Sequence, residues 1–308
     1  MAGTVLDAIG NTPIAELRKV APPGCARIVA KLEWGNPTGS MKDRMARAAI
    51  EAAERDGRLP PGGTVVEATM GTTGISLALV CAAKGYGLHI VFSDAFSDEK
   101  RRPMQAFGAT VEDVPSDEGR ITAALVKAML ARAHELAARP THWWCDQLNN
   151  RDAINGYLPM GEEIWDQTGG EVDAFVHSVS TGHSVLGVAR GLRAHKPTLR
   201  VAAVEPAESA VLSGQPSGSH KIEGIGIGFV PPLWEPDEVD EIIAVSTADA
   251  KAMTRRLALE EGLLAGASSG ANVVAAIRLG RRLGPGATVA TILVDSGLRY
   301  LSTDVFRT

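Results

Sequence analysis

The chain has 308 residues, 45% hydrophobic and 22% charged, enough for one large or two ordinary globular domains with a sizeable core. Acidic residues outnumber basic ones by 36 to 31, and the densest basic spots, Lys100-Arg101-Arg102, Arg255-Arg256 and Arg281-Arg282, read as solvated helix faces, so no nucleic-acid partner is expected. No apolar run reaches the roughly 18 residues of a membrane helix, no signal peptide is evident at the start, and Cys25, Cys81 and Cys145 are too few and scattered for a disulfide framework, so a reducing cytoplasm and no membrane partner are expected.

Along the chain, short β-branched runs alternate with Ala-rich helical runs. Strands are predicted at 27–31, 64–68, 88–92, 110–114, 174–179, 200–205 and 288–294. Helices are predicted at 43–56, 74–84, 100–107, 121–138, 151–168, 184–194, 247–261 and 271–282. Most strands are nearly continuous apolar runs, which implies burial on both faces and mainly parallel sheets. The fold class is therefore α/β, with two doubly wound lobes, one over roughly 40–145 and the other after residue 151. Such lobes place a ligand cleft between them at the carboxyl ends of strands. Residues 206–218, rich in Ser, Pro and Gly, read as one long mobile loop.

Lys42 is the first chemical candidate. Asn36-Pro37 breaks what precedes it, residues 38–40 are turn formers, and a helical pattern follows, so Lys42 falls in a first helical turn. A free ammonium gains nothing from the helix dipole there. Two readings are open: an amine held as a Schiff base, or a solvated lysine beside Asp43 and Arg44.

Three turns rich in Gly, Ser and Thr lead into helices: 69–74, 180–184 and 266–270. Such a turn offers backbone N–H groups and hydroxyls at the positive end of a helix. Three of them together suggest a ligand carrying a phosphate and a carboxylate. The turn at 180–184, with three hydroxyls and a glycine, is the best phosphate cradle. Its His183 either donates to a phosphate or caps the turn facing water. Gly224-Ile225-Gly226-Ile227-Gly228 lacks the spacing of a dinucleotide fingerprint and reads better as a lid or a close backbone approach to a flat ligand. No metal site is expected, since His142-xx-Cys145 is flanked by structural tryptophans.

These runs resemble the cysteine synthase and cystathionine β-synthase family, pyridoxal-phosphate enzymes of fold type II. The match spans almost the whole chain. It includes Ile9-Gly10-Asn11-Thr12-Pro13, Gly39-Ser40-Met41-Lys42-Asp43-Arg44, Gly71-Thr72-Thr73-Gly74, Asp146-Gln147-Leu148-Asn149-Asn150, residues 180–184, Ser268-Ser269-Gly270-Ala271 and Asp295-Ser296-Gly297. The resemblance implies pyridoxal 5'-phosphate, a smaller mobile substrate-binding lobe at 40–145, and a larger cofactor-binding lobe made of 1–39 plus 146–308. It makes Lys42 the cofactor anchor and the base that takes the Cα proton. Ser180, Thr181, Gly182, His183 and Ser184 match the phosphate loop, and Ser268 the residue facing the pyridine nitrogen. Thr72 stands where an asparagine usually contacts the ring oxygen. Thr69, Met70, Gly71, Thr73 and Gln147 match the contacts to the substrate carboxylate, and Gly226 the segment near the ring.

Met70, Thr72, Ser180 and His183 depart from the family pattern. The implied reaction is β-replacement on an activated L-serine such as O-acetylserine, through an aminoacrylate, with a small nucleophile such as sulfide. The alternatives are net β-elimination of the cysteine desulfhydrase kind, a nucleophile other than sulfide, or a homologue that binds without catalysis. Family members are usually homodimers, so a homodimer is expected.

Overall fold

The computed structural model describes residues 3–120 and 122–306, and the chain divides into two compact units. One unit comprises Met1–Ile9 with Lys42–Gly156, and the other Gly10–Met41 with Tyr157–Thr308.

The larger unit holds a six-stranded sheet. Its strands are β1 (Ile14–Glu16), β2 (Arg27–Leu32), β7 (Ala174–Ser178), β8 (Arg200–Pro206), β9 (Glu241–Val245) and β10 (Thr288–Leu293), in the order β1-β2-β10-β7-β8-β9. All neighbours pair in parallel except β1, which runs antiparallel to β2. β7 and β10 are buried at every position, as strands covered on both faces must be. In the chain, β7, β8 and β9 step outward in one direction, while β10 returns to the other side of β7. The winding therefore reverses between β7 and β10, and the carboxyl ends of such neighbours open a crevice suited to ligands.

The smaller unit repeats this plan with four parallel strands, β3 (Thr64–Ala68), β4 (Gly87–Ser93), β5 (Thr110–Val114) and β6 (His142–Trp144), in the order β5-β4-β3-β6. Its winding reverses between β3 and β6. Helices α1 (Lys42–Arg55), α2 (Thr72–Lys84), α3 (Asp98–Ala106), α4 (Ala123–Ala137) and α5 (Asp152–Asn155) belong to this unit. The other unit carries α6 (Leu158–Gln167), α7 (His183–His195), α8 (Thr247–Arg256) and α9 (Ala267–Leu283).

The predicted elements all form, with local corrections. The helix expected at 151–168 breaks into α5 and α6, because Pro159 has no N–H to continue a helix and fits a first turn. The helix expected at 247–261 ends as an α-helix at Arg256 and widens into a π turn over Leu257–Glu261. The start expected at Ile121 lies outside the described residues. Strands β1, β6 and β9 were not predicted; the first two span three residues each, and periodicity is hard to see over so few.

In the first half of the segment expected to be a mobile loop at 206–218, residues pack down, while 213–218 are exposed. The buried Glu205 carboxylate accepts hydrogen bonds from Leu212 N (2.8 Å), Ser213 N (3.2 Å) and Ser213 Oγ (2.5 Å), and Ser209 and Ala210 are buried. Among the described residues, no helix is long and apolar enough to cross a membrane.

Candidate active site

In the smaller unit, the predicted residues gather at its own reversal point. Lys42 is the first residue of α1, as the turn signals implied. Burial pulls its ammonium down to about 8, while Glu67, when ionised, holds it up. Lys42 is half-buried, and with its amine lowered toward 8 a larger share of it is free base near neutral pH than for an ordinary lysine. Such an amine can react with a carbonyl, whereas an ordinary lysine would be almost fully protonated.

Glu67 is itself buried one residue before the carboxyl end of β3. Burial pushes its carboxyl up to about 8, although the N–H groups of Gln147 (3.0 Å) and Ala68 (2.9 Å) favour the ionised form. Burial likewise raises the Cys145 thiol well above its usual range, so this cysteine is no nucleophile.

The loop after β3 and the residues after β6 meet through side chains. Thr73 Oγ1 donates to Gln147 Oε1 at 2.8 Å, and Gln147 Nε2 donates to Ala68 O at 3.3 Å. Gly71 is the N-cap of α2 with φ +137°, and no side chain caps that helix. A Cβ at Gly71 would come within 2.5 Å of the Lys100 side chain, so glycine is required there. Thr69 accepts the Gly71 N–H at 3.1 Å and is buried. Thr72 opens α2, and Met70 stands out with 44% exposure. The positive end of α2, with Thr73 and Gln147 beside it, suits a carboxylate.

In the larger unit, residues 179–182 leave the carboxyl end of β7 and enter α7. Gly182, the N-cap of α7, has φ +94° and no side-chain cap, and the first-turn N–H groups of a helix have no acceptor within it. Thr181, His183 and Ser184 are buried around this end, and Ser180 is half-buried. His183 is fully buried and its Nδ1 lies 2.9 Å from Thr181 Oγ1, so it does not cap the turn facing water.

Gly226, with φ +61°, donates its N–H to Val179 O at 3.0 Å, which pins the 224–228 segment beside the same loop. Ser268 lies in the first turn of α9 and not in a preceding turn, because α9 begins at Ala267. It is buried, and its neighbour Ser269 accepts the Val294 N–H at 2.9 Å, which sets the start of α9 against the carboxyl end of β10. Loop 180–184, Gly226 and the α9 start therefore share one region of this unit.

Three residues of these surroundings were not singled out from the sequence: Glu67, His177 and Asn272. Each is a polar side chain within an otherwise apolar run of a strand or helix, and that interruption was the available signal. An uncapped helix end flanked by hydroxyls fits a phosphate ester, and an amine with a lowered pKa fits an aldehyde. Pyridoxal 5'-phosphate carries both of these groups.

A family model described as pyridoxal-phosphate dependent enzyme matches residues 5–295. A cysteine synthase of Staphylococcus aureus is 41% identical over 304 residues, covering 98% of this chain and 96% of that protein. The crystal structure of O-acetylserine sulfhydrylase isoform 3 from Entamoeba histolytica superposes with a TM-score of 0.93 at 39% identity, covering 100% of this chain and 92% of that one. An O-ureido-L-serine synthase structure gives a TM-score of 0.92 at 35% identity, covering 99% and 95%.

Proposed function

Because the chain belongs to the family of pyridoxal-phosphate dependent enzymes, we propose that it catalyses β-replacement on an activated L-serine of the O-acetylserine kind, with a small nucleophile such as sulfide. The observation that carries this reading is Lys42, an amine lowered to about 8 at the start of α1. When bound, pyridoxal 5'-phosphate supplies an aldehyde for one amine and an electron sink for charge developing at the substrate Cα.

Lys42 Nζ provides that amine. As a free amine, Lys42 would also be the base that takes the Cα proton and later returns it. Loop 180–184 holds the phosphate through the N–H groups that open α7 and the hydroxyls of Thr181 and Ser184. Ser268 would offer a neutral hydroxyl to the ring nitrogen, and Thr72 a hydroxyl to the ring oxygen. Thr69, Gly71, Thr73 and Gln147 orient the substrate carboxylate at the start of α2. The exposed Met70 would face the substrate, and Gly226 would approach the ring. In this reading the working form is a cytoplasmic homodimer.

Product analysis tests the proposal. Incubation with O-acetylserine and sulfide should yield cysteine, with little pyruvate. Pyruvate and ammonia as the main products in the presence of sulfide would replace synthesis by elimination. The departures at Met70 and Thr72 make this the outcome to watch. A cofactor that binds but never responds to any amino acid would mark a non-catalytic binder.

A further inference from the structure

Behind the phosphate loop lies a buried polar chain that ends on Ser184. Asn272 Oδ1 accepts the Ser178 N–H at 2.8 Å, and Asn272 Nδ2 donates to Ile292 O at 2.8 Å. Both partners are backbone groups with fixed roles, so the orientation of the amide is decided by them. The remaining Nδ2 proton meets His177 Nδ1 at 3.1 Å. Nδ1 must therefore accept, and the imidazole carries its proton on Nε2. That nitrogen lies 2.8 Å from Ser184 Oγ. Asn272 and His177 are fully buried, and Ser184 is 7% exposed, so water does not compete for these contacts. The His177 ring is further held by stacking near Phe175, with centroids 6.0 Å apart.

We propose that Asn272 and His177 are positioning residues that fix Ser184 Oγ as an acceptor from His177, and so commit the serine's own proton to the cofactor phosphate. The inference rests on the reading of loop 180–184 as the phosphate cradle. A serine hydroxyl otherwise rotates freely and can turn back onto a helical carbonyl. With one lone pair occupied by the His177 Nε2–H, Ser184 presents its O–H toward the end of α7, where a dianion accepts it as a charge-assisted hydrogen bond. The chain is built across β7, β10 and α9, so the same amide that joins these elements also sets a proton direction in the cradle.

The test compares affinities of the apoprotein for pyridoxal 5'-phosphate and for pyridoxal, which lacks the phosphate, together with the ³¹P shift of the bound cofactor. His177→Met removes the donor at similar volume, and His177→Gln replaces it with an amide N–H. His177→Met should weaken pyridoxal 5'-phosphate about tenfold or more, shift the ³¹P resonance and leave pyridoxal unchanged, while His177→Gln restores most of the loss. Adding His177→Met to Ser184→Ala should cost little beyond Ser184→Ala alone. Equal losses for both ligands, or additive effects in the double variant, would show a merely structural role and overturn the proposal.

If Ser184→Ala leaves the preference for the phosphate ester intact, the cradle reading itself fails and the proposal with it. If Ser184→Ala removes it but His177→Met does not, the cradle stands and the relay alone is wrong. Independently of any variant that fails to fold, ¹⁵N-labelled histidine in the wild-type holoenzyme should show His177 protonated on Nε2, and a proton on Nδ1 would refute the assignment.

Discussion

Replacing Glu67 with glutamine removes an ionisable group that is buried in β3 and electrostatically coupled to Lys42. The carboxyl titrates near 4.5 in an unfolded chain and at about 8 in the folded one. The folded state therefore binds the proton more tightly. The stabilising contribution is fully present below about 4.5 and is lost as pH rises through about 8. A shift of that size corresponds to roughly 5 kcal/mol of stability drained between these limits.

The glutamine does not titrate, but it can accept only one of the two backbone N–H groups that meet Glu67. It therefore carries a pH-independent cost of about 1–3 kcal/mol. Urea unfolding of both apoproteins from pH 5 to 8.5 separates the two effects. The wild type should start ahead at pH 5 and lose ground steadily, so that Glu67→Gln equals or overtakes it near pH 8. A stability difference that stays constant across this range would refute the raised carboxyl and the physical account of the Lys42 surroundings built on it.

Lys42→Ala should lower kcat by roughly a thousandfold or more and abolish fixation of the cofactor by borohydride, read by peptide mass analysis. For the wild-type apoprotein, acylation of Lys42 should follow a midpoint near its value of about 8, well below the ordinary lysine value of 10.5. Gly226→Ala places a Cβ at φ +61° and within 2.5 Å of Pro206, so it should destabilise by about 2–4 kcal/mol and raise KM, as thermal melts and steady-state kinetics would show. Met70→Ser, at a residue 44% exposed, should leave unfolding midpoints within about 0.5 kcal/mol of the wild type while changing the ratio of cysteine to pyruvate formed. An unchanged ratio would make Met70 a bystander.

Much of this was legible in the sequence. Apolar runs such as 64–68 and 174–178 specify strands buried on both faces, because a parallel sheet between helices leaves no wet side. Gly182 and Gly71 mark turns into helices because each has a left-handed φ that other residues adopt with difficulty. The boundaries that went astray have local causes that depend on packing, as where Gly156 and Pro159 split one expected helix. A Cβ at Gly156 would approach Arg44 O to 2.5 Å, a contact between segments over a hundred residues apart.

The sequence by itself determined the α/β class, the lysine at a helix start and the Gly-, Ser- and Thr-rich turns that lead into helices, since each depends on local backbone preference and short-range periodicity. Only the tertiary structure decided the chemical state of those groups. Burial, not sequence position, lowers the Lys42 amine, and strand order brings Gln147 to Thr73 across 74 residues. The direction of the Ser184 proton depends on an amide in α9 that no local pattern connects to β7. Protonation and hydrogen-bond direction are properties of an environment, and that environment exists only once distant segments pack.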